Sequence, residues 1–327
     1  MFLTLVYDLR SSASGAPHDE LYAAALDQCA WAEGLHGISH LTVVLSEHHG
    51  SVDGYLPSPI ALGAAIAGRT QRATIMIAAV IVPLHNPLHL AEDLAVLDLV
   101  SDGRAVAVHA AGYRHEEFEM FGADLATRSA AMDETIDVLK QAWTGEPFQF
   151  RGTTVRVSPR PKQRPHPPII LGGSSPAAAR RAARRADGFL PSSPALMTVY
   201  REELVRLGRD PGPAPPEDSR AEEFVVHITK DPDRAWEQIS EFCLHDTNTY
   251  AEWMRDGSGG SGPFVAATDV EALRATGSYL VLTPEECVER SRAQGHLMVK
   301  PLIGGMPPAL AWESLRLIES DVLPALS

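Results

Sequence analysis

Short apolar runs rich in β-branched residues alternate with segments of helical period almost from one end of this chain to the other. No other feature restricts its fold as strongly. The runs fall at residues 4–7, 41–45, 74–82, 105–109, 169–172, 188–190, 224–229 and 297–303. Between them, Leu21, Ala25, Cys29 and Ala32 form one stripe, Leu90, Leu94 and Leu97 a second, and Met132, Ile136, Leu139 and Trp143 a third. Spacings of three and four residues put each stripe on one face of a helix. Ser58-Pro59, Asn86-Pro87, Ser175-Pro176 and Thr283-Pro284 each set a capping residue before a proline, the pattern of a helix start. Strand, helix and strand in succession make right-handed βαβ units of a parallel sheet. Eight such steps predict an α/β fold, a closed (β/α)8 TIM barrel, with one domain over residues 1–327.

Charge and cysteine content narrow the function classes. There are 28 Lys and Arg against 42 Asp and Glu, a net charge of −14. That balance argues against nucleic acid or an anionic membrane as partner and for small molecules. Cys29, Cys243 and Cys287 are far apart and odd in number, which favours a reducing compartment over a disulfide framework. The opening "MFLTLVYDLR" has no basic segment or cleavage site. No apolar run reaches the roughly 18 residues of a membrane span, so the expected location is cytoplasmic.

In a barrel of this kind, functional groups gather where strands end and helices begin. Glu47-His48-His49 follows the second run and Pro83-Leu84-His85-Asn86 the third. Ala110-Ala111-Gly112-Tyr113 follows the fourth, Gly172-Gly173-Ser174-Ser175 the fifth, Ser192-Ser193 the sixth and Gly304-Gly305 the eighth. All are expected on one rim. Two stretches break the rhythm. Residues 144–168 read as a hairpin plus a proline-rich connection, and residues 245–282, with a Gly/Ser-rich hinge, as an insertion after strand 7 placed to cover the site.

Two motifs leave alternatives open. "GGSSP" is a glycine-lined helix start that suits an anion, and equally a plain capped turn. In "EHH", a metal site would need three or four convergent ligands, and consecutive residues leaving a strand point opposite ways. A general base at the rim and two packed structural rings both fit the pair. The arginines at 180, 181, 184 and 185 read as the solvated face of a helix.

Longer stretches carry a family likeness. "SEHHG…SPIALGAAIAGRTQRATIMIAAVIVPLHNPLHLAEDLAVLDLVSDGR…AAGYRHEEFEMFG", "WTGEPFQFRG", "PPIILGGSSPAAARRAARRADGF" and "PLIGGMPPALAWESL" resemble the bacterial luciferase-like flavin-dependent monooxygenases, in order and over essentially the whole chain. The resemblance implies a barrel that binds a flavin or deazaflavin at its C-terminal rim, with His48 on the reactive face as catalytic group. It implies a non-proline cis peptide at Ala78–Ala79 or Ala79–Val80, and cofactor contacts from Ala78, Ala79, Val80, Ala111, Gly112, Gly172, Gly173, Ser174 and Ser175. No metal is expected.

One position departs from the family. FMN-using relatives often carry an arginine after strand four, where this chain has Ala111; deazaflavin-dependent relatives often have a small residue there. "EHH" points back to FMN. The reading is a two-component monooxygenase using reduced FMN, O2 and a small organic substrate, with a separate NAD(P)H-dependent flavin reductase as partner and a homodimer as assembly. Its alternatives are hydride transfer with the deazaflavin coenzyme F420, and a flavin-binding barrel without turnover.

Overall fold

The computed structural model describes residues 1–213, 224–255 and 264–326. Its strands are β1 (Phe2–Tyr7), β2 (His40–Leu45), β3 (Thr74–Ile81), β4 (Ala105–Ala110), β5 (Phe148–Phe150), β6 (Thr153–Val155), β7 (Ile169–Gly173), β8 (Gly188–Pro191), β9 (Phe224–Ile228), β10 (Tyr279–Leu282) and β11 (His296–Val299). Its α-helices are α1 (His18–Gly34), α2 (Pro59–Arg69), α3 (Pro87–Val100), α4 (His115–Met120), α5 (Arg128–Ala142), α6 (Pro176–Arg185), α7 (Pro194–Arg206), α8 (Pro232–Arg255), α9 (Val270–Thr276), α10 (Pro284–Gln294), α11 (Pro308–Leu317) and α12 (Leu323–Leu326).

Nine strands form one sheet in the order β10-β9-β11-β1-β2-β3-β4-β7-β8, and every pairing in it is parallel. Helices pack in chain order, α1 on α2, α2 on α3, α3 on α5 and α6 on α7. The expected stripes are their inner faces: Leu21, Ala25, Cys29 and Ala32 are fully buried, as are Leu90, Ile136, Leu139 and Trp143 to within 1%. Burying one such side chain contributes about 1.5–3 kcal/mol. The proline-marked starts all open helices, and Asn86, Ser175 and Thr283 accept backbone N–H groups there.

These parallel strands with their helices are the α/β plan that the alternation predicts; the ladder of backbone hydrogen bonds runs from β10 to β8 and, among the described residues, is not closed between those two strands. Three details differ from expectation. A ninth strand, β10, was hidden in the stretch assigned to the insertion; its "YLVL" pairs with β9. Residues 245–255, the start of the expected insertion, continue α8, because Phe242, Cys243, Asp246, Thr247 and Ala251 continue one buried face. The Gly/Ser-rich hinge itself lies outside the described residues. The last main-sheet strand stops at Val299, where Pro301 cannot donate to a ladder. The hairpin expected within 144–168 is present as β5 and β6. Among the described residues, no helix is long and apolar enough to cross a membrane.

Within the sheet, His109 on β4 is 1% exposed; Nδ1 meets the Ile170 carbonyl at 3.2 Å. Its Nε2 has no partner among the described residues. Burial lowers its pKa to about 4. An unfolded histidine titrates near 6.5, so between those values the unfolded chain binds the extra proton. Stability is therefore intact above pH 6.5 and declines as pH falls towards 4, by on the order of 3 kcal/mol from this side chain. Denaturant unfolding at a series of pH values should show that decline, and His109→Gln should flatten it. Parallel slopes for the two proteins would refute the assignment.

Candidate functional site

The loop that leaves β2 carries three buried polar residues in a row, Glu47, His48 and His49. The His48 ring presents Nδ1 to Glu117 Oε1 at 2.7 Å. Hydrogen bonds from His48 and the His49 amide outweigh the effect of burial and hold the Glu117 carboxyl below its ordinary value. An ionised carboxylate only accepts, so Nδ1 bears the proton and Nε2 carries the lone pair. Nε2 lies 3.5 Å from the Tyr113 hydroxyl. Burial lowers the His48 pKa, against the pull of Glu117 and with the help of Arg114 and Arg10. The ring is thus a neutral base at pH 7 with a fixed tautomer.

His49 turns the other way. Its Nε2 donates to Glu47 Oε1 at 2.9 Å and its ring meets Phe121 edge-on. Glu47 Oε1 also accepts from His85 Nε2 at 2.7 Å, and Oε2 accepts from the Ile81 amide at 2.7 Å. Burial would raise this carboxyl, but the bonds from His49 and His85 hold it at about 2. Glu47 therefore ties the β2 loop to the end of β3.

That end of β3 is irregular. The peptide between Ala78 and Ala79 is cis, and the pairing of β3 with β4 shifts register between Ala78 and Val80. Gly112, just beyond β4, has φ +70°, and a Cβ there would sit 2.7 Å from Ile81 Cγ2. Gly173 is required for a different reason: a Cβ would meet that of Ala178 at 2.4 Å. Ser175 caps α6, its Oγ accepting from the Ala178 amide, so its hydroxyl is engaged and its amide stands at the helix start. Ala78, Ala79, Ala111 and Gly172 are all partly exposed small residues at the same ends of adjacent strands. The rim thus offers a shallow seat free of bulk, with a helix N-terminus at one side, which fits a planar ring system bearing a phosphate.

Above His48 lies an aromatic group. Tyr55, Tyr113 and Trp253 have ring centroids 4.9, 5.6 and 4.8 Å from it. Arg10 is fully buried among Tyr55, Tyr250 and Trp253, with its guanidinium carbon 4.6, 4.3 and 5.1 Å from their centroids. Asp8, at 3.3 Å, and Asp246, at 3.7 Å, neutralise it. Lys300 joins both carboxylates, at 2.9 and 2.7 Å, so the segment after β1, α8 and the residue after β11 share one buried ion network.

The structure separates His48 from His49 as opposed directions at a strand end require. Among the described residues, no three His, Cys, Asp or Glu side chains are grouped to hold a metal. The arginines of α6 are not merely solvated: Arg181 and Arg185 pair with Asp133, and Arg184 with Glu203. Sequence reasoning missed Glu117, Arg10, Tyr55 and Trp253. Arg10 lies just past the end of β1, a signal that loops share widely; Glu117 in α4, Trp253 at the end of α8 and Tyr55, ten residues beyond β2, carried no local signal.

This plan of parallel strands, outer helices and a rim site is that of the luciferase-like TIM barrels. The chain belongs to the luciferase-like monooxygenase family, whose model matches residues 13–298. It is 28% identical over 214 residues to the F420-dependent glucose-6-phosphate dehydrogenase of Amycolatopsis mediterranei, covering 61% of this chain and 60% of that one. Against the oxygenase component of the flavin-dependent trigonelline monooxygenase of Acinetobacter baylyi, identity is 29% over 167 residues, 48% and 44% of the two chains. The chain thus spans about half the length of such curated relatives. In fold it is similar to the oxygenating constituent of 3,6-diketocamphane monooxygenase from Pseudomonas putida, solved with FMN, at TM-score 0.72 and 21% identity over 99% and 98% of the chains.

Glu47→Gln should lower stability by about 2–4 kcal/mol, since a buried carboxylate with three donors becomes an amide that also brings N–H groups. The denaturation free energy at pH 7 measures this. A change under about 0.5 kcal/mol, the range of an ordinary surface substitution, would remove Glu47 from its role as anchor.

Proposed function

We propose that this chain is the oxygenase of a two-component monooxygenase, acting on a small organic substrate with O2 and reduced FMN from a separate NAD(P)H-dependent reductase. The observation that carries the reading is His48: a buried, neutral imidazole whose Nδ1 is fixed by Glu117 and whose Nε2 meets the Tyr113 hydroxyl. The FMN bound by a structural neighbour and the flavin-dependent relative support the cofactor class.

Ala78 and Ala79 would line one face of the ring, while Val80 is fully buried behind them in the core; Ala111 and Gly112 would line its edge, and Gly172, Gly173, Ser174 and the Ser175 amide would hold the phosphate at the start of α6. Bound there, the reduced flavin would supply two electrons to oxygen. The residues of this chain have three tasks. His48 Nε2 takes or returns a proton at the reacting centre, Glu117 keeps that nitrogen unprotonated and aimed, and Tyr55, Tyr113 and Tyr250 exclude water. The assembly we propose is a homodimer.

Ala111 favours a second reading, in which the cofactor is the deazaflavin F420 and the reaction is hydride transfer. The F420-dependent relative supports it. His48 would then exchange a proton with the substrate.

Anaerobic titration with each reduced cofactor, followed by admission of air, separates the two. The monooxygenase reading predicts tighter binding of FMN and protein-slowed reoxidation; tight binding of the deazaflavin alone would contradict it. In single-turnover measurements His48→Ala should keep FMN affinity while slowing turnover roughly 10²–10⁴-fold. Ser174→Ala should do the reverse, weakening FMN binding by about 1–2 kcal/mol with the chemistry intact.

A further inference from the structure

Trp253, on the last turn of α8, has two cations over its ring. The guanidinium carbon of Arg114 is 4.1 Å from its ring centroid and that of Arg10 is 5.1 Å. Its indole is 4.8 Å from the His48 ring, with Tyr55 and Tyr250 at 5.9 and 5.5 Å. All the guanidinium nitrogens of Arg10 are buried without a hydrogen-bond partner; Asp8, Asp53 and Asp246 stand 3.3–3.7 Å away. Arg10 is therefore committed by its faces to π-systems more than by its N–H groups to acceptors. Trp253 itself is partly exposed. A partly exposed ring that meets two cations and stands beside the proposed base is in the position of a ligand.

The charges around the slot nearly cancel. Arg10, Arg114 and Lys300 stand against Asp8, Asp53, Asp246 and Glu117, so an anionic group gains nothing there. Cation faces instead select electron density in a neutral ring. We propose that the substrate of this site is an electron-rich planar aromatic compound, of the phenol or indole class. It occupies the slot between Arg10 and Arg114 by displacing Trp253, whose indole stands in for it in this structure. This proposal rests on reading the His48 rim as the reaction site. It deepens that reading by naming what the rim receives.

Indole is the probe, titrated calorimetrically into the full-length protein without cofactor. Trp253→Ala removes the internal competitor and should bind indole about tenfold or more tightly than the unaltered chain. Cyclohexanol, similar in size without a π-face, should show no such gain. Adding Arg114→Met to Trp253→Ala should lower indole affinity about five- to tenfold, as one cation face is lost. Should Trp253→Ala fail to fold, Trp253→Phe keeps a ring in the core and should show a smaller gain of the same sign. Equal indole binding by variant and parent, or equal binding of cyclohexanol, would overturn the proposal. So would competition between indole and FMN, which would give the slot to the cofactor. If FMN binds and indole does not, the substrate class alone is wrong; if neither binds, the rim reading falls with it.

Discussion

The carboxylate of Glu117 is the group on which the site depends. It is buried, and one oxygen receives the His48 ring, the His49 amide and the Arg114 guanidinium. Three donors on one oxygen keep the carboxyl ionised in a place where burial alone would protonate it. Because it is ionised, it accepts only, and that fixes which nitrogen of His48 carries the proton. A hydrogen bond of this charged kind is roughly twice as strong as a neutral one, so the imidazole is held in one orientation before any ligand arrives.

The same device recurs around it. Glu47 draws His49, His85 and the Ile81 amide together, joining the β2 loop to the irregular end of β3. Asp8 and Asp246 draw in Arg10 and Lys300. Each buried charge is costly alone and tolerable when paired and bonded. The result is a rim in which loops from different strands are tied to each other by ions, while the floor is made of alanine and glycine. Rigidity comes from the charges and room comes from the missing side chains. Arg10 is the exception: its cation is balanced at a distance by carboxylates and covered by aromatic faces, which leaves its environment open to exchange of one ring for another.

The barrel was largely legible in the sequence because its signals are local. Apolar runs, stripes of period 3.6 and Ser/Asn/Thr-Pro starts each depend on a few neighbouring residues, and they placed eight of the nine main-sheet strands. β10 was not legible because "YLVL" is a four-residue run without alternation, inside a stretch whose Gly/Ser-rich part masks the strand–helix rhythm. α8 ran further than expected because polar Asp246 and Thr247 belong to its buried face, where the ion network satisfies Asp246. At the site, His48 and the glycines could be found from their position after strands. Glu117 and Trp253 could not, since their importance comes from pairing across 69 residues with His48 in one case and from a helix end folding over the rim in the other. Such contacts are tertiary, and no spacing rule encodes them.

The central claim, that Glu117 fixes His48 as a neutral base with an unprotonated Nε2, is open to direct measurement. Nitrogen NMR of the His48 imidazole, assigned by comparison with His48→Ala, reports protonation and tautomer together. The account predicts a neutral ring protonated at Nδ1 at pH 7, gaining its second proton only below pH 6.5, with that tautomer preference lost in Glu117→Gln. An imidazolium at pH 7, or a ring protonated at Nε2 alone, would contradict it.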